Sequence, residues 1–163
     1  MKCSSVVWLV EAQGSKRVVD TGIARPTGIA LTPDQSLLLV ADAQGIFVYS
    51  FQIQPDGSLA HKQPYFHLHL VEGDTGTGAS AMVVDTNGYL YINTALGIQV
   101  CDQAGRVNGI VSRPGAGAGA PGPLSFGGPE LDELYVTVGD RLYHRKTRAR
   151  GVRAPLKPPA PRL

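Results

Sequence analysis

The sequence predicts an all-β protein built of propeller-type blades, here about three blades and part of a fourth. Three observations predict it. One segment recurs with the same grammar, beginning at residues 27, 80 and 122, and self-similarity at a period of about 40 to 50 marks a repeat architecture. Each copy is a set of short β-rich runs divided by Gly, Asn, Asp or Pro turns, and four antiparallel strands at that period make a propeller blade. The composition agrees: 20 Gly and 12 Pro among 163 residues, with 43% hydrophobic and 17% charged, gives a real core with many turns. It excludes long helical bundles, coiled coils and collagen-like chains.

Taken in order, residues 1–20 read as the end of a preceding blade. Val6 to Glu11 form one strand, Ala12-Gln13-Gly14 a turn and Lys16 to Asp20 an outer strand, with Trp8 expected in the core. The unit over 27–70 contains Thr27 to Thr32, the turn Pro33-Asp34-Gln35-Ser36, Leu37 to Asp42, Gly45 to Ser50 and a fourth run, Ala60 to Leu70. The unit over 80–112 repeats this as Ser80 to Asp85, Thr86-Asn87-Gly88, Tyr89 to Thr94, Gly97 to Asp102 and Val107 to Ser112. Asn87-Gly88 and Asp56-Gly57 supply residues that tolerate positive φ in tight turns. The unit over 122–152 has Gly122 to Gly127, a turn around Gly128-Pro129-Glu130, Leu134 to Val138 and Arg141 to Arg145. These units make one partial propeller over 1–153. A Gly- and Ala-rich connector over 113–123 precedes the last unit, and 154–163 is a Pro-rich extended tail.

The net charge of +2 is unevenly placed. Residues 141–163 carry eight Lys and Arg and no acid, so residues 1–140 are net negative. Tyr143 is the only aromatic in the basic stretch, which lacks the stacking platform of a nucleic-acid binder. A solvated final strand and tail are expected, with no nucleic-acid partner. Cys3 and Cys101 are too few and too distant in sequence for a disulfide framework or a thiolate metal site. Val6 to Val10 is too short for a signal peptide, and no run reaches the roughly 20 apolar residues of a membrane span. A soluble protein without a membrane partner is expected, its compartment open.

Single-residue signals add little chemistry. Gly78-Ala79-Ser80-Ala81-Met82 has the start of a nucleophile elbow but not its second Gly or its strand-to-helix setting. His67 and His69 share a strand face and read as a solvated pair, while Asp42, Asp85 and Asp102 stand at strand ends where carboxylates close turns.

Arg25-Pro26-Thr27-Gly28-Ile29-Ala30-Leu31-Thr32-Pro33-Asp34, Ile98 to Gly105 and Leu124-Ser125-Phe126-Gly127-Gly128-Pro129 resemble the SMP-30/gluconolactonase family, which also contains regucalcin and luciferin-regenerating enzyme. The resemblance covers roughly residues 6–152 and corresponds to the C-terminal half of the family's fold. It implies a six-bladed propeller whose tunnel holds one divalent cation, calcium or zinc. It also implies metal-assisted attack of water on a sugar lactone, the cation polarising the carbonyl and lowering the pKa of its water.

The family's ligand positions fall on Thr27 within Pro26-Thr27-Gly28, on Ser80 within Ser80-Ala81-Met82 and on Pro123 before Leu124. Thr27 and Ser80 stand where the family has a metal-binding Asn and Asp, Ser80 also replacing the proton acceptor. Pro123 stands where an Asn contacts substrate. The Glu ligand belongs to a blade that this chain does not contain. Divalent cations prefer charged or carbonyl oxygens, so weak or absent hydrolysis by this chain alone is expected. Glu72 and Asp74 lie just before the altered motif, on a Gly-rich loop expected to be solvated.

Two alternatives stay open. One is a non-catalytic module that binds a partner or small ligand through a rim of Thr27, Ser80 and the Gly-rich loop; the other is a truncated gene product that does not fold alone. A six-bladed ring needs about 240 to 300 residues. Half a ring calls for the missing N-terminal blades or another chain to cover its open edges.

Overall fold

A computed structural model describes residues 5–114 and 119–153. Cys3, the centre of the Gly-Ala connector and the Pro-rich tail lie outside the described residues. The described residues contain thirteen strands and no helix, grouped in four antiparallel sheets.

The first sheet pairs β1 (Val7–Val10) with β2 (Lys16–Asp20). The second runs in sequence order through β3 (Pro26–Leu31), β4 (Leu37–Asp42), β5 (Phe47–Ile53) and β6 (Leu59–His67). The third follows with β7 (Met82–Val84), β8 (Leu90–Thr94), β9 (Gly97–Cys101) and β10 (Val107–Val111). The fourth has three strands, β11 (Pro121–Gly127), β12 (Glu133–Val138) and β13 (Arg141–Lys146). Meandering sheets joined in sequence order form the blades of a partial propeller.

Packing explains why the middle strands are apolar throughout. Successive strand residues face opposite sides, and these sheets are covered on both. Leu39 and Ala41 of β4 join Met82, Val84, Leu90 and Ile92 in the core between the second and third sheets. Val40 points the other way, to Val7, Ile23 and Phe51 between the first and second. Ile98 packs with Leu124, Leu134, Val136 and Val138 between the third and fourth. Full burial of one such side chain contributes about 1.5–3 kcal/mol.

Aspartates close the turns. Asp85 Oδ1 accepts the backbone N–H groups of Asn87 and Tyr89, each at 2.9 Å. Asp102 Oδ1 accepts those of Ala104 and Arg106 at 2.9 and 3.0 Å, and Asp42 Oδ1 those of Arg25 and Gln44 at 3.0 and 3.1 Å.

Trp8 departs from the expectation. It is 52% exposed, against 8% for its neighbour Val7. The register pairs Trp8 with Val18, and both lie on the face of the hairpin turned away from the second sheet. Strand alternation lets only one face of β1 meet that sheet, and Val7 is on it.

Candidate functional site at the axial strand ends

The first strands of the last three sheets, β3, β7 and β11, lie side by side, so their starts converge. Their approach is close because Gly28 lacks a side chain: a Cβ there would overlap the Ser80 carbonyl oxygen, a backbone atom. The structure thereby brings together the segments carrying Thr27, Ser80 and Pro123.

What these residues do there is specific. Thr27 Oγ1 donates to the Ala79 carbonyl oxygen at 2.8 Å, crossing from the second sheet to the start of the third. Ser80 Oγ donates to the Gly122 carbonyl oxygen at 3.1 Å, crossing from the third sheet to β11 of the fourth. Each hydroxyl therefore ties its strand to the backbone of the next sheet. Pro123 is exposed and offers no side-chain donor atom.

Asn93, which the sequence reading did not single out, completes the arrangement. It is fully buried, its Nδ2 donates to the same Gly122 carbonyl at 3.1 Å, and its Oδ1 is buried with no hydrogen-bond partner among the described residues. The signal was present in Tyr89-Leu90-Tyr91-Ile92-Asn93-Thr94, where an amide and a hydroxyl follow an apolar run at the end of the strand. A second buried polar group lies nearby in sequence: Gln99 Nε2 donates to His69 O at 2.9 Å and Thr94 Oγ1 at 3.0 Å, and its Oε1 accepts from His69 N at 2.8 Å. That linkage fixes the chain segment leaving β6 against β9.

The donor set does not fit the divalent cation that the family implies. Thr27 and Ser80 offer neutral hydroxyls already directed at backbone carbonyls, and Pro123 offers nothing. Among the described residues no three His, Cys, Asp or Glu side chains converge, and hard cations favour carboxylate oxygens. Glu72 and Asp74 are exposed on their loop and make no side-chain hydrogen bond or ion pair among the described residues. His67 and His69 are also exposed, His67 resting against Phe47 with ring centroids 5.3 Å apart. Ser80 has no imidazole within hydrogen-bond reach. Farther along the same strands, a hollow of about 290 Å³ is bordered by Ile29, Leu31, Val83, Ser125 and Phe126, with no carboxylate among its lining residues.

Two titratable groups near the strands are displaced. Burial, followed by the neighbouring Asp85 carboxylate, pushes the Tyr91 hydroxyl up to about 12. Burial, followed by Asp102, raises the Cys101 thiol to about 12. Neither is poised for acid–base work near neutrality.

Similarity to known proteins agrees with the fold. The chain superposes on a gluconolactonase from Xanthomonas campestris with a TM-score of 0.71 and 22% identity, over 87% of this chain and 44% of that one. For a luciferin-regenerating enzyme the values are 0.74 and 21%, over 91% and 55%. A calcium-binding regucalcin from Agrobacterium tumefaciens gives 0.74 and 16%, over 97% and 56%. The chain thus spans about half the length of these structures. No curated protein matches it. No helix among the described residues is long and apolar enough to cross a membrane. The model of the SMP-30/gluconolactonase/LRE-like region matches residues 3–140, and with its axial strand ends aligned as described, the chain belongs to that family.

Proposed function

We propose that this chain is a gluconolactonase-like propeller segment in which the ancestral lactone-hydrolysing site has become a set of structural contacts between blades, leaving weak or no hydrolysis by the chain alone. The observation that carries this reading is the pair of hydroxyl contacts from Thr27 to Ala79 and from Ser80 to Gly122. A lactonase of this family type needs an oxygen cage for a cation and a carboxylate to accept a proton from water. Here the corresponding positions hold Thr27, Ser80 and Pro123, and the two hydroxyls already serve the backbone.

Calorimetric titration of the chain with Ca²⁺, Zn²⁺ and Mn²⁺, paired with a gluconolactone hydrolysis assay, tests the reading. No saturable cation binding and no turnover above the buffer rate are expected. Saturable binding accompanied by turnover would overturn it.

A further inference from the structure

A cleft of about 840 Å³ opens between the third and fourth sheets, away from the axial strand ends. Its floor is apolar, formed by Tyr91 and Ile98 on one side and Leu134, Val136 and Tyr143 on the other. Its size falls in the usual range for small-molecule sites. The register of β12 with β13 pairs Leu134 with Arg145 and Val136 with Tyr143. Arg145 therefore stands on the sheet face that lines the cleft, with Arg148 at the same rim.

The cations are what distinguish this cleft from an ordinary gap between sheets. His144 and Lys146 also border the cleft, but they alternate with Arg145 along β13 and are matched by Glu133 at 3.3 Å and Asp132 at 3.4 Å. Arg145 and Arg148 have no carboxylate partner among the described residues. An apolar floor with unpaired guanidinium groups at one rim is complementary to a molecule with an apolar body and an anionic head. Guanidinium binds a carboxylate through two parallel hydrogen bonds, while an alkyl chain covers the Tyr, Leu, Ile and Val floor. We propose that this cleft binds a small amphiphilic carboxylate, such as a medium-chain fatty acid, with its head at Arg145 and Arg148.

The test is calorimetric titration of the chain with decanoate and decyltrimethylammonium below their micelle-forming concentrations and with decanol below its solubility limit. Decanoate binds one site saturably and at least tenfold more tightly than either other probe. Across hexanoate, octanoate and decanoate, affinity rises about fourfold for each methylene that reaches the floor. The double variant R145Q/R148Q loses at least tenfold in decanoate affinity with an unchanged melting temperature. R141Q removes an equal charge farther along β13, at a residue that does not line the cleft, and binds as the parent does. Equal binding of all three probes, an unaffected double variant, or equal loss in R141Q overturns the proposal. So does sedimentation showing that the chain self-associates through this face and excludes decanoate, which would make a second copy the occupant.

Discussion

Ser80 and Asn93 share one acceptor: Ser80 Oγ and Asn93 Nδ2 each lie 3.1 Å from the Gly122 carbonyl oxygen. Two donors from the third sheet thus converge on the backbone of the fourth, at the position to which the family resemblance assigns a metal-binding carboxylate. Ser80→Ala removes one of them and is expected to cost about 1 kcal/mol. Ser80→Asp costs more, about 1–3 kcal/mol, because it sets a carboxylate against carbonyl oxygens with no donor to offset its desolvation. Urea denaturation of the two variants, with and without Ca²⁺, gives the order. An Asp variant more stable than the Ala variant would mean that a cation or unseen donor meets it.

Gly28 controls how closely β3 and β7 approach. Gly28→Ala puts a methyl group into the Ser80 carbonyl oxygen, and backbone can move aside only by opening the seam. A loss of at least 1–3 kcal/mol is expected, as for other overpacked sites. The Thr27 to Ala79 hydrogen bond loosens with it. The melting temperature and amide exchange at Ala79 to Ala81 report both effects, and a variant as stable as the parent would refute the close-approach account.

Leu39 has no solvent exposure and sits among Met82, Val84 and Leu90 between the second and third sheets. Leu39→Ala is expected to lower stability by 2–5 kcal/mol, about the range for truncated buried leucines. A smaller loss in urea titration would show that the seam between these sheets collapses to fill the void.

Cys101 is a free, buried thiol raised to about 12 by burial and then by Asp102. The thiolate is the reactive form, so native Cys101 is expected to be inert to a disulfide reagent at pH 8. In a Cys3→Ser background it reacts only when urea unfolds the chain. The same shift predicts that stability falls as pH rises above the ordinary thiol value toward 12, because the unfolded chain ionises first. Rapid labelling of the native variant would contradict both expectations.

Asp102 is held below the usual carboxylate range, chiefly by the Arg106 backbone N–H and with help from Asn108 and Ala104. Its native pKa is depressed, so its contribution is present above the unfolded value and disappears as pH falls through the native one. Asp102→Asn keeps an acceptor oxygen but loses the charge. Its stability deficit is expected at neutral pH and shrinks as both proteins are acidified below the ordinary carboxylate range. A deficit independent of pH would remove the charge from the explanation.

The strand pattern was legible because its cause is local. Runs such as Leu37 to Ala41 announce strands covered on both faces, and Asp85-Thr86-Asn87-Gly88 announces a turn in which a carboxylate accepts backbone N–H groups. Trp8 misled, since an aromatic residue in an apolar run says nothing about which face of the strand meets the neighbouring sheet. Asn93 was overlooked because its partner, Gly122, lies 29 residues away. Thr27 and Ser80 could be recognised as substituted positions, yet their hydrogen-bond partners depend on how closely three separate strands approach.

The sequence by itself determined that this chain makes short antiparallel strands in a repeating unit, and it carries neutral residues, Thr27, Ser80 and Pro123, at the places its family resemblance assigns to ligands. Periodicity and turn chemistry act over a few residues, so they survive in the linear order. Only the tertiary structure decided that the Thr27 and Ser80 hydroxyls bind backbone carbonyls of the next sheet, that Asn93 joins them, and that Arg145 and Arg148 stand unpaired at an apolar cleft. Those relationships arise where residues distant in sequence are pressed together, and packing geometry sets which polar groups find partners and which do not.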